Sequence, residues 1–276
     1  MKNIHSVKVR SILLLSIIQI YHKPANAFNF NFFKKKESQT IKKDIIVPKD
    51  PQIILTNTEG SYTIKPWDQQ KVSLEVQKTG HTEGLEATTI KSKVVEQEVS
   101  IATTNSDSEN TAQVHYTLRV PEDASIKIIQ TKGPVTINGI EGDIDISLEQ
   151  GSIDIKGSTK VVTAKTGNGT ITVRQRKLAE PSSIFLQAHK GNVVLSLPRE
   201  TRASLEATVD KGSITSEHPV TMTITTKIDQ HEWDRLKKNI SGVLGTFKDA
   251  EELDKLKGAP PITLDAARGN IQIKEA

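Results

Sequence analysis

The sequence contains no cysteine. Disulfide bonds, thiolate nucleophiles and a lipid-modified N-terminal cysteine are therefore excluded. The chain of 276 residues is nevertheless long enough to bury a sizeable hydrophobic core without covalent cross-links, so the absence of cysteine is compatible with an exported protein.

The sequence also lacks the common signatures of catalytic and ligand sites. It has no serine-centred nucleophile elbow and no phosphate-binding glycine loop. His231 and Glu232 begin a zinc-protease-like pattern, but Arg235 stands where the second histidine ligand would be needed. The sequence therefore predicts no catalytic residue, no metal site and no cofactor.

No apolar run is long enough to span a membrane. Basic residues at the start of the chain are followed by the apolar segment 12–21 and by Ala-Asn-Ala at 25–27. This pattern resembles a secretory signal peptide covering residues 1–27 and predicts export to the periplasm, the cell surface or the medium. Retention of the segment as an N-terminal anchor is the alternative.

The net charge of +4 belongs to that first segment. Residues 1–27 contain four of the 37 lysines and arginines and no acidic residue, which leaves 33 basic and 33 acidic residues in the mature chain. Because nucleic-acid binding needs a basic surface on the folded domain, a nucleic-acid partner is not expected. Residues 28–50 combine aromatics with a lysine run and predict a disordered leader, with contact to an anionic membrane as the alternative.

The dominant feature of the sequence is a repeat of strand-like segments. Each unit has apolar residues at i and i+2, glycine at i+7 and two more apolar residues at i+9 and i+11, as in Ile126, Ile128, Gly133, Val135 and Ile137. Alternating apolar residues place one face of a strand against a core, and glycine permits the bend between two strands. The other units begin at Ile53, Ile144, Val162, Ile184, Leu205 and Ile262.

The regular spacing of these units predicts a solenoid over residues 51–276. Starts at 126, 144, 162, 184 and 205 are 18 to 22 residues apart, as expected when one coil stacks on the next and pairs with it in parallel. We therefore predict an all-β parallel β-helix with its regular coils at 122–226. An antiparallel sandwich is the competing fold, but the fixed interval to glycine favours the solenoid.

Both flanks of the regular coils depart from the repeat. Residues 51–121 predict irregular strands that cap the N-terminal end in antiparallel fashion, with a hairpin loop at 103–110. Residues 227–259 show apolar residues at three- and four-residue steps, which predicts an α-helical insertion before a last coil at 260–276. A buried brace on the solenoid is favoured over a partner- or membrane-binding helix.

Several segments together carry a family resemblance. GSYTIKPWDQQKVSLEV, RVPEDASIKI and the succession GPVTI, GDIDI, GSIDI, GTITV, GNVVL and GSITS resemble the putative-adhesin family of bacterial envelope β-strand-repeat proteins, related to the head GIN domain. The resemblance covers approximately residues 51–216 and 261–273. It implies a right-handed β-helix outside the cytoplasmic membrane, with a binding or scaffold role and no established catalytic residues.

The outward positions of the predicted strands are candidates for recognition. Aligned second strands form a ladder of Thr136, Asp154, Thr172, Val194 and Thr215. The corresponding positions of the first strands are Lys127, Asp145, Thr163, Phe185 and Glu206. A flat polar face of this kind can bind a polysaccharide or a protein, although the strand propensity of threonine alone also explains its presence.

Two functions follow from this pattern. The first is a non-enzymatic envelope protein, adhesin or scaffold, that binds a protein or polysaccharide through its strand faces. The alternative is a carbohydrate-active enzyme that uses Asp145 and Asp154, because glycoside hydrolysis needs paired carboxylates. These two residues lie in different strands of their unit, so their side chains are expected to diverge. The residues before the repeat glycines are mostly cationic and do not suit calcium.

Overall fold

The computed structural model describes residues 36–158, 160–176, 183–223, 238–245, 256 and 262–276. In these ranges the chain forms 20 strands and one short helix, α1 (Thr82–Ala87). The strands are β1 (Glu37–Ile46), β2 (Gln52–Trp67), β3 (Lys71–Gly80), β4 (Thr88–Val95), β5 (Glu98–Asn105), β6 (Gln113–Pro121), β7 (Ser125–Lys132), β8 (Val135–Asn138), β9 (Ile144–Gln150), β10 (Ile153–Lys156), β11 (Val162–Asn168), β12 (Ile171–Arg174), β13 (Ile184–Lys190), β14 (Val193–Leu197), β15 (Ala203–Lys211), β16 (Ile214–Ser216), β17 (Val220–Thr223), β18 (Lys238–Leu244), β19 (Ile262–Arg268) and β20 (Ile271–Glu275).

The strands pair in two sheets that share β2. Sheet A has the spatial order β1-β3-β6-β2-β8-β10-β12-β14-β20-β16. Sheet B has the order β4-β5-β2-β7-β9-β11-β13-β19-β15-β18-β17. Each coil supplies one strand to each sheet, so the protein is the predicted all-β solenoid.

One hydrophobic cluster fills the space between the two sheets. In sheet B, Ile126 pairs with Ile144 and Ile144 with Val162, and all three side chains are at most 2% exposed. In sheet A, Ile153 pairs with Ile171 in the same way. Equivalent apolar positions of successive units therefore stack in rows, and the prediction that neighbouring repeats share one core is confirmed.

The glycine at i+7 lies at the bend between the two strands of each coil. Gly151 has a φ of +143°, and a Cβ atom added there would collide with the carbonyl oxygen of Gly133 in the coil below. The Gly151 N–H donates to the Asn168 carbonyl of the coil above at 2.9 Å. The equivalent contact recurs at Gly133, Gly169, Gly191, Gly269 and Gly212. Only glycine allows both this backbone conformation and this coil spacing.

The order of the coils in space differs from their order in the sequence. Strand β19 lies between β13 and β15, and β20 lies between β14 and β16. At the other end, β2 lies between β7–β8 and β5–β6. The prediction that each coil pairs with the preceding one holds from Ile126 to Ile184. It is wrong at Leu205, which pairs with Ile262 and not with Ile184, and the coil at 260–276 is not the last one in space. Because all units carry the same apolar pattern, sequence periodicity sets their register but not their neighbours.

The predicted disordered leader begins to fold before residue 50. Strand β1 pairs antiparallel with β3 over ten residues, and Ile45 and Val47 are buried. The leader prediction is therefore wrong from Glu37 onward, while residues 28–35 lie outside the described residues. Lys42 pairs with Glu75 at 3.3 Å. Exposed charged residues are typical of edge strands, and they gave this segment the composition of a solvated leader.

The loop at 103–110 does not close a hairpin. Residues 103–105 belong to β5, and residues 106–112 join β5 of sheet B to β6 of sheet A. Both strands pair parallel with β2, so they form another coil. The hairpin is instead β4–β5, whose turn contains Glu96 with a φ of +53°. Antiparallel strands do lie at the N-terminal end of both sheets, β1 and β3 in sheet A and β4 in sheet B.

The helical prediction for 227–259 is wrong over residues 238–244. These residues form β18, which pairs antiparallel with β15 and with β17. Ile240 and Val243 are β-branched and Gly242 lies between them, so the segment has low helix propensity. The edge of β15 offers a complete row of backbone partners. Residues 227–237, 246–255 and 257–259 lie outside the described residues.

The stacked glycines at i+7 of successive coils form a glycine column. Replacing Gly151 by alanine tests its role. We expect Gly151→Ala to lower the free energy of unfolding by at least about 2 kcal/mol, because alanine is strained at this φ and its Cβ overlaps the neighbouring coil. Urea unfolding followed by circular dichroism measures the change. The control is Ser152→Ala, at the exposed neighbouring position. Equal stability of the two variants would contradict the structural requirement for glycine at position 151.

Introduced cysteine pairs test the position of β20. Gln272 is paired with Thr215 and with Val194, so Gln272→Cys with Thr215→Cys should form a disulfide, since neighbouring strands are about 4.8 Å apart. Val194→Cys with Thr215→Cys should stay reduced, because two strand spacings, about 9.6 Å, exceed disulfide reach. Thiol titration of the folded protein shows which pair has formed a disulfide. The opposite pattern of cross-linking would show that β14 and β16 are direct neighbours, as the sequence order predicts.

Candidate functional site

The predicted ladder lies on the outer face of sheet A. Thr136, Asp154, Thr172 and Val194 are in register on β8, β10, β12 and β14. Thr215 is on β16, but it is not the next residue in the row. Its place beside Val194 is taken by a residue of β20, Gln272.

Gln272 was missed because the strand order was taken from the sequence. It occupies the same slot as the ladder residues, ten positions after the start of the unit at Ile262. The repeat pattern therefore predicts that the Gln272 side chain points outward, but it does not predict where Gln272 lies in the row.

Asp154 is held by two cations at the centre of the ladder. Its carboxylate accepts from Arg174 Nη1 at 2.8 Å and pairs with Lys156 Nζ at 3.1 Å. Lys156 and Arg174 are themselves neighbours in the strand register, so the carboxylate reduces the repulsion between two adjacent positive charges. This arrangement stabilises the stacking of adjacent coils.

A depression of about 440 Å³ adjoins these cations and is also lined by Gln175 and Arg176. The Gln175 side chain is buried, and neither of its amide atoms has a hydrogen-bond partner among the residues that the structure describes. Arg176 packs against Gly157, where an added Cβ would lie 3.4 Å from the guanidinium Nε. Three cationic side chains, those of Lys156, Arg174 and Arg176, therefore border this recess at the edge of the ladder.

The equivalent row on sheet B faces the opposite side of the solenoid. Lys127, Asp145, Thr163 and Phe185 are in register on β7, β9, β11 and β13. Glu206 follows only after an intervening residue of β19, Thr263.

The structure does not bring Asp145 and Asp154 together. Asp145 belongs to sheet B and Asp154 to sheet A, and both side chains point away from the core between the sheets. Asp145 pairs with Lys127 at 3.5 Å. The two carboxylates therefore do not form the acid pair that glycoside hydrolysis requires.

Phe185 lines one of two neighbouring depressions on sheet B. The Lys165 Nζ lies 5.3 Å from the centroid of the ring, on the side of β11. On the other side, towards β19, a depression of about 380 Å³ is lined by Glu206, Asn239 and other polar residues. The sequence placed Phe185 and Glu206 in the outward row, but not the β18 residues that close the depression, because that segment was predicted to be helical.

Charged bends link the coils at the glycine column. Glu59 pairs with Lys132 of the adjacent coil at 3.1 Å. The hydrogen bond from Lys132 lowers the pKa of the Glu59 carboxyl below its usual value. Across the described ranges, no group of three or more His, Asp or Glu side chains is placed to hold a metal ion.

In the part of the chain that the structure describes, no helix has the length and apolar character needed to cross a lipid bilayer.

With the fold described, the chain can be compared with known families. The Toastrack DUF4097 family matches residues 18–240, well over half of the chain. The chain belongs to this family. The match supports the adhesin-like β-strand-repeat family that the sequence resembles, whereas the relation to the head GIN domain stays a prediction. No curated protein matches the chain.

Two solved structures are similar to this Toastrack chain. A putative cell adhesion protein from Clostridium sporogenes has a TM-score of 0.45 and 12% sequence identity, and the match covers 88% of this chain and 100% of that one. A putative adhesin from Bacteroides fragilis has a TM-score of 0.37 and 13% identity, covering 86% of this chain and 97% of that one.

Neutralising Asp154 tests its structural role. We expect Asp154→Asn to lower the free energy of unfolding by less than about 1 kcal/mol, because the pair is partly exposed to water, and the loss should shrink at high salt. Urea unfolding at low and high salt measures this. Asp145→Asn, which removes a single longer ion pair on sheet B, is the matched control and should have a smaller effect. A salt-independent loss would contradict the electrostatic assignment.

Proposed function

We propose that this Toastrack protein is an exported, non-enzymatic adhesin or scaffold of the cell envelope. It binds a protein or a polysaccharide through the outer faces of its sheets. The observation that carries the proposal is the register of the outward residues, which gives a continuous row across sheet A from Thr136 to Thr215 that is polar except at Val194. A regular solenoid presents such rows as an extended, rigid surface suited to recognition.

Export is supported by the N-terminal sequence. The basic start, the apolar segment 12–21 and the Ala-Asn-Ala site at 25–27 form the pattern of a cleaved signal peptide. The absence of cysteine is compatible with this destination. We place the mature protein in the periplasm, at the cell surface or in the medium, with membrane contact only through residues 28–50.

The proposal also includes two finer points of the architecture. The coil is right-handed, the hand that parallel strand crossovers adopt in nearly all sheets. The antiparallel strands β1, β3 and β4 act as the N-terminal cap, since they occupy the positions where an unpaired coil would otherwise expose its edges.

The non-enzymatic assignment rests on the chemistry of the outward carboxylates. Asp145 and Asp154 lie on different sheets, and each is paired with a lysine. A general acid needs a raised pKa and a second carboxylate across the scissile bond, and neither residue has such a partner. The carbohydrate-active alternative therefore loses the residue pair on which it was based.

Binding to the native cell envelope tests the proposal. We expect the chain from residue 28 onward, labelled with a fluorophore, to bind isolated envelope fractions, and an introduced arginine on a binding face to weaken binding at least tenfold by steric obstruction. The variants are Thr172→Arg on sheet A and Thr263→Arg on sheet B. The matched control is Thr82→Arg, an exposed residue of α1, which should bind like the wild type.

Two results would contradict this proposal. Envelope binding that is absent, or is unchanged in both face variants, would reject recognition through the sheets. Release of reducing sugar ends from envelope polysaccharides, abolished in Asp154→Asn, would show an enzyme instead. Immunoblotting of cell fractions checks the location, and a cytoplasmic protein would reject export.

A further inference from the structure

The outer face of sheet B has a groove built around Phe185. The ring is half-buried on β13, and its neighbours in the register are Thr163 on β11 and Thr263 on β19. Lys165 covers the ring from the side of β11. The opposite side of the ring therefore faces the depression of about 380 Å³ over β19, β15 and β18.

Hydrogen-bonding side chains surround this depression. Asp265 of β19 accepts a hydrogen bond from Gln187 Nε2 on its Oδ2 atom at 2.9 Å, which fixes the orientation of the carboxylate. Glu206 on β15 is paired in register with Thr263 and with Ser241 on β18. Ser241 and its strand neighbour Asn239 are exposed to solvent. The ring is thus bordered by carboxylate, amide and hydroxyl groups from three strands.

The groove continues beyond the Gln187–Asp265 pair. A second depression of about 420 Å³ shares Asp265 with the first, is also lined by Lys165, and extends over Ser147 and Glu149 of β9. Together the two depressions cross β9, β11, β13, β19, β15 and β18, which at about 4.8 Å per strand spacing is about 24 Å. This length suits an extended chain better than a small molecule.

We propose that this groove binds a neutral polysaccharide, with Phe185 as the stacking platform for a sugar ring. The inference rests on the proposed function and names the ligand class of one of its two faces. Sugar rings present an apolar face of C–H groups and a rim of hydroxyls, which match an aromatic ring bordered by polar side chains.

The composition of the groove favours this occupant over the alternatives. Protein interfaces are organised around several buried aromatic, aliphatic or arginine residues. Among the described residues that line the two depressions, Phe185 supplies the one phenyl ring, and the imidazole of His189 is the other aromatic group. The carboxylates of Glu149, Glu206 and Asp265 disfavour an anionic chain by charge repulsion. Lys165, the lysine of the groove, is placed over the Phe185 ring.

Affinity electrophoresis tests the inference directly. The chain from residue 28 onward is run through native gels containing a neutral β-glucan, a neutral mannan, soluble chitin or, as the anionic arm, polygalacturonate. We expect retardation by at least one neutral polysaccharide and none by polygalacturonate. Isothermal titration with the matching oligosaccharide then gives the dissociation constant.

Variants assign the binding to the groove. Phe185→Ala should weaken binding at least tenfold, and Phe185→Trp should retain it because the stacking surface is kept. Ser241→Trp, a change at an exposed position, should block the depression without disturbing the core. Thr82→Ala, at an exposed position of α1 outside both rows, is the control and should bind like the wild type. Thermal unfolding checks each variant, and Ser241→Trp decides if Phe185→Ala does not fold.

The results that overturn the inference differ from those that overturn the proposed function. Retardation by no neutral polysaccharide, retardation by polygalacturonate alone, or binding unaffected by both Phe185→Ala and Ser241→Trp rejects the groove as a neutral glycan site. Envelope binding that persists in that case, and is lost in Thr172→Arg, leaves the proposed function standing with sheet A as its surface. Capture of an envelope protein that depends on Phe185, without glycan retardation, also rejects the inference.

Discussion

The close backbone contact at the glycine column is the constraint on which the solenoid depends. Each repeat glycine, such as Gly151, places its Cα where a side chain would overlap the carbonyl of the coil below. Its N–H meanwhile bonds to the coil above. The backbone hydrogen bonds of both sheets set the strand spacing, and the glycines allow the bends between the sheets to keep it. The outward rows inherit the same spacing, so the candidate binding faces are regular for a backbone reason rather than a side-chain one.

The repeat pattern predicted the parts of the fold that depend on local chemistry. The positions of Ile126, Ile144 and Val162 fixed the register, since a slip of one residue would expose every apolar side chain. The outward orientation of Thr136 and Thr172 followed from the same alternation. The order of the coils could not be predicted, because equivalent units are interchangeable as partners and the connections between them do not select one neighbour.

Other errors arose where tertiary pairing overrode local composition. The exposed charges of β1 resembled a solvated leader until its pairing with β3 was known. Ile240, Val243 and Leu244 recur at helical steps, yet the edge of β15 recruits them into a strand. The groove beside Phe185 could not be predicted from the sequence for two reasons. Thr263 belongs to β19, which lies between β13 and β15, and Ser241 belongs to β18, which was predicted to be helical.

The insertion of β19 and β20 between earlier coils links folding to the completion of synthesis. Strands β13 and β15 have no direct contact in the ladder and are bridged by a segment that leaves the ribosome about 60 residues later than β15 begins. Until that segment is synthesised, sheet B has a gap between β13 and β15, and the facing edges of these two strands are unpaired. The finished structure therefore cannot close before its C-terminal strands are available.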